Sequence, residues 1–186
     1  TQGGSWQETV VHAFTGGADG AFPFKVTFNS SGGLLGTAFA GGNTDCSTLG
    51  CGVAFELTPN SGGWIENILY SFSGGADGES PWGNLIPGPN GNLYGVTNEG
   101  GANGKAGTVF ELVPTRSGTW TKQSLSLGGK LGANPYAGLT LGASGREVYG
   151  TTSGGGAGHE GTVFELLKQA GTDGALSVKS AIHGPQ

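Results

Sequence analysis

Three stretches decide how this chain is read: GVAFELTP at 52–59, GTVFELVP at 107–114 and GTVFELLK at 161–168. Their phenylalanines, Phe55, Phe110 and Phe164, recur at intervals of 55 and 54 residues. Upstream of each lies a second shared block, GGLLGTAFAGG (32–42), GNLYGVTNEGG (91–101) and GREVYGTTSGG (145–155). A third block starts at a proline followed by an aromatic residue: Pro23 and Phe24, Pro81 and Trp82, Pro135 and Tyr136. A fourth carries Trp6, Trp64 or Trp120 near its start, as in SWQETVVHAF (5–14) and GWIENILYSF (63–72). Each repeat therefore holds four short apolar segments separated by Gly-rich connections.

The segments have the composition of strands. They are rich in β-branched and aromatic residues, run four to eight positions, and are bounded by Gly, Asn, Asp, Ser or Pro. Helical spacing of apolar residues is not sustained, and FELLKQAG (164–171) is broken by Gly171. In the second repeat PNGN (89–92) supplies the Asn-Gly pair of a tight hairpin, with SSGG (30–33) and ASG (143–145) in the same place. Short connections make successive strands antiparallel neighbours. Four antiparallel strands recurring at this spacing predict an all-β, β-propeller-type repeat of three four-stranded blades. A sheet this small cannot bury both faces alone, so like sheets stack. A parallel β-helix is the competing reading, but it has no need of hairpin turns.

Composition agrees. The chain has 41 Gly and 8 Pro among 186 residues, a level that denotes low complexity unless a period is present, as it is here. Only 11% of residues are charged and the formal net charge is −5, which argues against a nucleic-acid partner, since no run of phosphates could be neutralised. No apolar run approaches the length of a membrane span and no basic, apolar leader opens the chain. The absence of Met and the start at Thr1 fit a processed protein or an excerpt of a longer one.

The order P-x-x-x-L, G-x-L-Y-G-T-T, a Gly doublet or triplet, G-T-V-F-E-L and a G-G-A-D-G linker resembles the GloVer tandem repeat over about residues 5–168. That repeat occurs in bacterial surface proteins with a variable choice of C-terminal anchor, and there is a more distant similarity to NHL and kelch propeller repeats. The resemblance implies an extracellular or cell-surface β-propeller and no particular reaction; it supplies no catalytic residues.

The whole chain, 1–186, is expected to be one repeat domain, with repeats at about 5–62, 63–118 and 119–171 and a terminal strand at 172–186. Trp-led outer strands fall at 6–14, 64–72, 120–127 and 175–183, so the first is a spare strand ahead of three complete blades. Closed propellers usually need four to eight blades, so open faces and a free edge should remain. The implied partner is a second copy, closing a ring or extending a filament, or the remainder of a longer propeller. Cys46 and Cys51 lie in a connection of 13 positions from Gly42 to Phe55, against 9 from Gly101 to Phe110. A disulfide closing this short ring is the favoured state, and it suits an oxidising, extracellular setting. Free thiols or a metal site are the alternatives, though no second pair of zinc ligands accompanies the cysteines.

Positions common to all repeats are explained by the fold, which turns attention to those that differ. Glu56, Glu111 and Glu165 read as turn-capping or solvent-facing carboxylates, and Asp19 and Asp77 of GGADG as turn formers rather than cation ligands, so no metal or other cofactor is expected. His159 and Glu160 form the most site-like pair, yet no nucleophile elbow accompanies the three histidines, and no catalytic residue is assigned. Phe24, Trp82 and Tyr136 would be platforms for a sugar ring if they face outward, or interblade packing if they do not. With Asn98, Glu99, Lys105, His159 and Glu160 of the connecting loops they make up the candidate ligand-binding set. Low charge and many small polar residues favour a neutral glycan over an ionic ligand. The expected function is a non-enzymatic, self-assembling structural or adhesive module, with glycan binding as the alternative and a polysaccharide hydrolase or lyase a more remote one.

Overall fold

A computed structural model describes residues 5–102, 105–168 and, as backbone, 176–182. Among these residues twelve strands form three antiparallel sheets. Sheet 1 is built from β1 (Ala21–Phe28), β2 (Leu34–Ala40), β3 (Val53–Asn60) and β4 (Gly63–Ser71) in that order. Sheet 2 follows with β5 (Glu79–Pro87), β6 (Leu93–Glu99), β7 (Thr108–Pro114) and β8 (Trp120–Ser126). Sheet 3 has β9 (Thr140–Leu141), β10 (Glu147–Thr152), β11 (Thr162–Lys168) and β12 (Leu176–Ile182). Each sheet is a meander, and antiparallel pairing throughout removes the β-helix reading.

Two glycine positions explain why the blocks recur together. In register, Gly36 faces Phe55, Gly95 faces Phe110 and Gly150 faces Phe164. A Cβ on any of the three would overlap the ring of the phenylalanine opposite, so each ring lies flat across its neighbour's bare backbone. The last glycine of each linker, Gly20, Gly78 or Gly132, has positive φ (104°, 88° and 83°). It presses on the pair that closes the second and third strands: Ala38 and Val53, Thr97 and Thr108, or Thr152 and Thr162. The two threonine pairs are joined by hydroxyl hydrogen bonds of 2.8 and 2.9 Å.

Sheets stack in a fixed polarity because strand residues alternate between faces. Phe110 and Leu112 of β7 are buried with Leu35, Ala54 and Leu69 of sheet 1, while Val109 of the same strand is buried with Val148, Phe164 and Leu166 of sheet 3. Thus the Phe/Leu face of each sheet looks back along the chain and the opposite face looks forward. Residues 5–15 form no strand, which corrects the expectation of a spare outer strand at 6–14: the segment pairs with no described strand edge, and only His12 and Phe14 of it are half-buried, against sheet 1. Phe14 nevertheless meets Phe55 at 5.0 Å between ring centroids, as Phe72 meets Phe110 at 5.1 Å. The other three expected outer strands are β4, β8 and β12. Neither a closed ring nor a barrel is formed by the described residues, so the propeller arrangement itself is not displayed.

Cys46 and Cys51 are disulfide-bonded, as the sequence suggested. A Cβ on Gly74 would collide with Cys46 Sγ, so the bridged loop is packed against the linker into sheet 2.

Candidate functional site

The aromatic residues of the proline blocks come together across sheet boundaries. Phe24 and Trp82 stack with centroids 3.9 Å apart and planes 27° apart, Tyr136 meets Trp82 edge-on at 5.2 Å, and Phe39 lies edge-on at 5.4 Å. One face of Trp82 is covered by Phe24, so the tryptophan is a packing residue between sheets. Phe24 and Tyr136, each about half exposed (45% and 51%), end the strip. Their free faces are what a planar or ring-shaped ligand could use.

The remaining candidates are distributed over two connections. Asn98 is buried at the end of β6; its carbonyl accepts from Asn134 Nδ2 at 3.3 Å, and its own Nδ2 has no hydrogen-bond partner. Glu99 is exposed beside it, and Lys105 lies 4.0 Å from Glu79 Oε1. His159 and Glu160 are exposed in the β10–β11 connection, where His159 lines a shallow hollow with Lys130, Gly155 and Gly156. No described contact joins these two to Lys105 or Glu99.

The strongest electrostatic features were not legible as sites in the sequence. Glu111 is completely buried; its Oε1 accepts from Asn92 Nδ2, from the Tyr94 hydroxyl at 3.0 Å and from Lys168 Nζ at 2.5 Å across the sheet 2–sheet 3 boundary. Glu56 accepts from Asn29 Nδ2 in the β1–β2 turn at 2.5 Å. Turn capping therefore describes Glu56 and part of Glu111, whereas solvent exposure does not describe Glu111. Burial and then Glu111 push the Tyr94 hydroxyl up to about 12.

A second feature lies at the ends of the outer strands. Lys122 is buried between sheets 1 and 2, with Nζ 2.8 Å from Asp77 Oδ1 and 5.6 Å from the ring centres of Tyr70 and Phe72. The Tyr70 hydroxyl donates to the same Oδ1 at 2.8 Å. Burial would raise Asp77, but the Lys122 hydrogen bond and charge, with Ser73 and Tyr70, outweigh it and hold the carboxyl below its ordinary range.

The corresponding triplet at the start of the chain is His12, Asp19 and Glu66. Glu66 pairs with Leu57 as Lys122 pairs with Leu112, and His12 precedes Phe14 as Tyr70 precedes Phe72. His12 Nε2 is 3.5 Å from Glu66 Oε1, and all three residues offer a donor atom within 4.8 Å of the others. Burial, with Asp19 adding to it, pushes the Glu66 carboxyl up against the pull of His12. Hydrogen bonds from Thr15 hold Asp19 low. Aligning the repeats at the residue two before Phe14, Phe72 and Leu127 would have exposed this triplet; reading GGADG alone shows only the turn.

Against known families, a model described as the Gloeobacter/Verrucomicrobia repeat matches residues 1–180, and the chain belongs to that repeat family. No curated protein matches it.

Proposed function

We propose, taking membership of this repeat family as the premise, that the chain is a section of a propeller-type stack, completed by further sheets from other copies or from the rest of a longer protein. Its role is structural or adhesive, without catalysis, and outside the cell. One observation carries the reading: the two ends of the stack are open where the interior is closed. Val26, Leu85 and Leu139 stand over the glycines Gly36, Gly95 and Gly150 of the neighbouring strands. They are 46%, 0% and 4% exposed, and among the described residues only the first lacks a sheet in front of it. Ala54, Val109 and Val163 occupy one position on the opposite face and are 0%, 0% and 46% exposed, and among the described residues only the last lacks a sheet behind it. The front of sheet 1 and the back of sheet 3 are thus unlike surfaces whose interior counterparts bind each other.

Such a head-to-tail contact closes into a ring if its rotation allows, and otherwise grows as a filament. The disulfide supports an oxidising location. Light scattering and electron microscopy at near-native concentration test completion by other copies: rings or filaments that dissociate on Val163→Lys support it, and a stable compact monomer at all concentrations refutes self-association and leaves only completion within a longer chain. Glycan binding is a second reading, favoured by the half-exposed faces of Phe24 and Tyr136; binding on a glycan array that falls in Tyr136→Ala would support it.

A further inference from the structure

We infer that His12, Asp19 and Glu66 form a binding site for a divalent transition-metal cation, zinc by the chemistry of the donors, which fastens the N-terminal segment onto sheet 1. Three equivalent junctions in one molecule carry the argument. Between sheets 1 and 2 the carboxylate of Asp77 is met by the protein's own cation, the Lys122 ammonium. Between sheets 2 and 3 the same positions are Leu125, Leu131 and, opposite Leu166, Val178, so there is no charge to neutralise. At the N-terminal junction the ammonium's position belongs to Glu66, which adds a second carboxylate at the very place where the next junction has a positive charge. Tyr70's place is taken by His12, the one substitution that turns a ring packed on phenylalanine into a metal donor. His12 keeps that packing, at 4.6 Å from Phe14.

Two of the three donor atoms stand at a coordinating separation, with the third within 4.8 Å of both. His12 Nε2 and Glu66 Oε1 are both buried and neither has a hydrogen-bond partner, although their side chains as wholes are 21% and 13% exposed. Their separation of 3.5 Å is close to the edge of about 3.4 Å expected for a tetrahedron with zinc–ligand bonds of about 2.0–2.1 Å. Asp19 is held in place by the Thr15 amide on Oδ2 at 2.6 Å and by the Thr15 hydroxyl and Gly17 amide on Oδ1 at 2.7 and 3.2 Å. This is the arrangement by which outer groups aim a ligating carboxylate. One imidazole and two carboxylates with a remaining position open to water suit zinc, whereas calcium requires six to eight oxygens. The bound ion would do for residues 12–19 what Lys122 does for the linker at Asp77.

The test uses the whole chain, freed of metal by chelator, titrated with zinc chloride in a calorimeter and melted with and without the ion. The expected result is one equivalent bound, a raised Tm, and affinity weakened at least about tenfold in both His12→Gln and Glu66→Gln. Cobalt(II) should give the visible absorption of a four-coordinate site, lost in the same variants. Glu66→Lys, which recreates the Lys122 arrangement, should bind no zinc while melting no lower than the metal-free parent. Absence of heat and of a Tm change at millimolar zinc would overturn the inference and leave a His12–Glu66 ion pair. Equal binding by parent and both Gln variants would overturn it too, placing the ion elsewhere.

Discussion

Replacing Lys168 by Met should destabilise the boundary between sheets 2 and 3 far more than its half-exposed position suggests. The thioether keeps an apolar side chain of similar length and removes only the ammonium that reaches Glu111. Glu111 would then keep Asn92 and Tyr94 as donors to Oε1, while Oε2, which is buried without a hydrogen bond, would have no charge near it to offset its burial. Removing one member of a fully buried ion pair costs about 3–5 kcal/mol. The Lys168 side chain is 30% exposed, so water can partly replace the ammonium, and the expected loss is about 2–3 kcal/mol. For a chain of this length that corresponds to a fall in Tm of roughly 5–10 °C. Denaturant unfolding of Lys168→Met, Glu111→Gln and the double variant would measure it as a cycle, with the double variant less damaged than the two singles predict and a coupling of about 1–2 kcal/mol. If Lys168→Met stayed within about 0.5 kcal/mol of the parent, the carboxylate would not depend on this ammonium and the account of the boundary would fail.

Gly95→Ala should cost about 1–3 kcal/mol in the same unfolding assay, because its methyl group would enter the Phe110 ring; pairing it with Phe110→Leu should recover part of the loss. Reduction of the Cys46–Cys51 bridge should lower stability by about 2 kcal/mol, the loop-entropy value for so short a ring, as read by denaturation with and without reductant. At alkaline pH, Tyr94 holds its proton to about 12 in the folded state against 10.0 for the free group, so its contribution is complete below pH 10 and lost as pH climbs toward 12. Melting curves across that range should fall less steeply in Tyr94→Phe. Asp77, held below 3.8, contributes stability above that pH that disappears on acidification; Asp77→Asn should flatten the acid limb, and an unchanged limb would count against the Lys122 pairing.

The repeat itself was legible because Phe55, Phe110 and Phe164 and their partner glycines obey a local steric rule that survives loop variation. Strand ends fell within a residue or two of expectation, at β4, β8 and β12 for example. The first segment misled because SWQETVVHAF has every residue of an outer strand; what it lacks is a neighbour, and pairing is a property of two chains of atoms. Trp82 was identified as a residue of interest, but its covered face follows from Phe24, 58 positions earlier, coming within stacking distance. The turn-forming part of the Asp19 and Asp77 reading holds, since each carboxylate accepts a hydrogen bond from the residue four before it. Asp77's second partner, Lys122, and Asp19's neighbour, Glu66, come from the following outer strand, 45 and 47 residues away, and no local pattern announces such approaches.

The unlike front and back of each sheet also bear on how such proteins change length. A unit inserted by duplication would meet, on both sides, the surfaces its parent already met, so no new interface would have to be invented. Growth by copying is therefore tolerated at any internal boundary, while a unit put in reversed order would oppose two matching faces and be rejected.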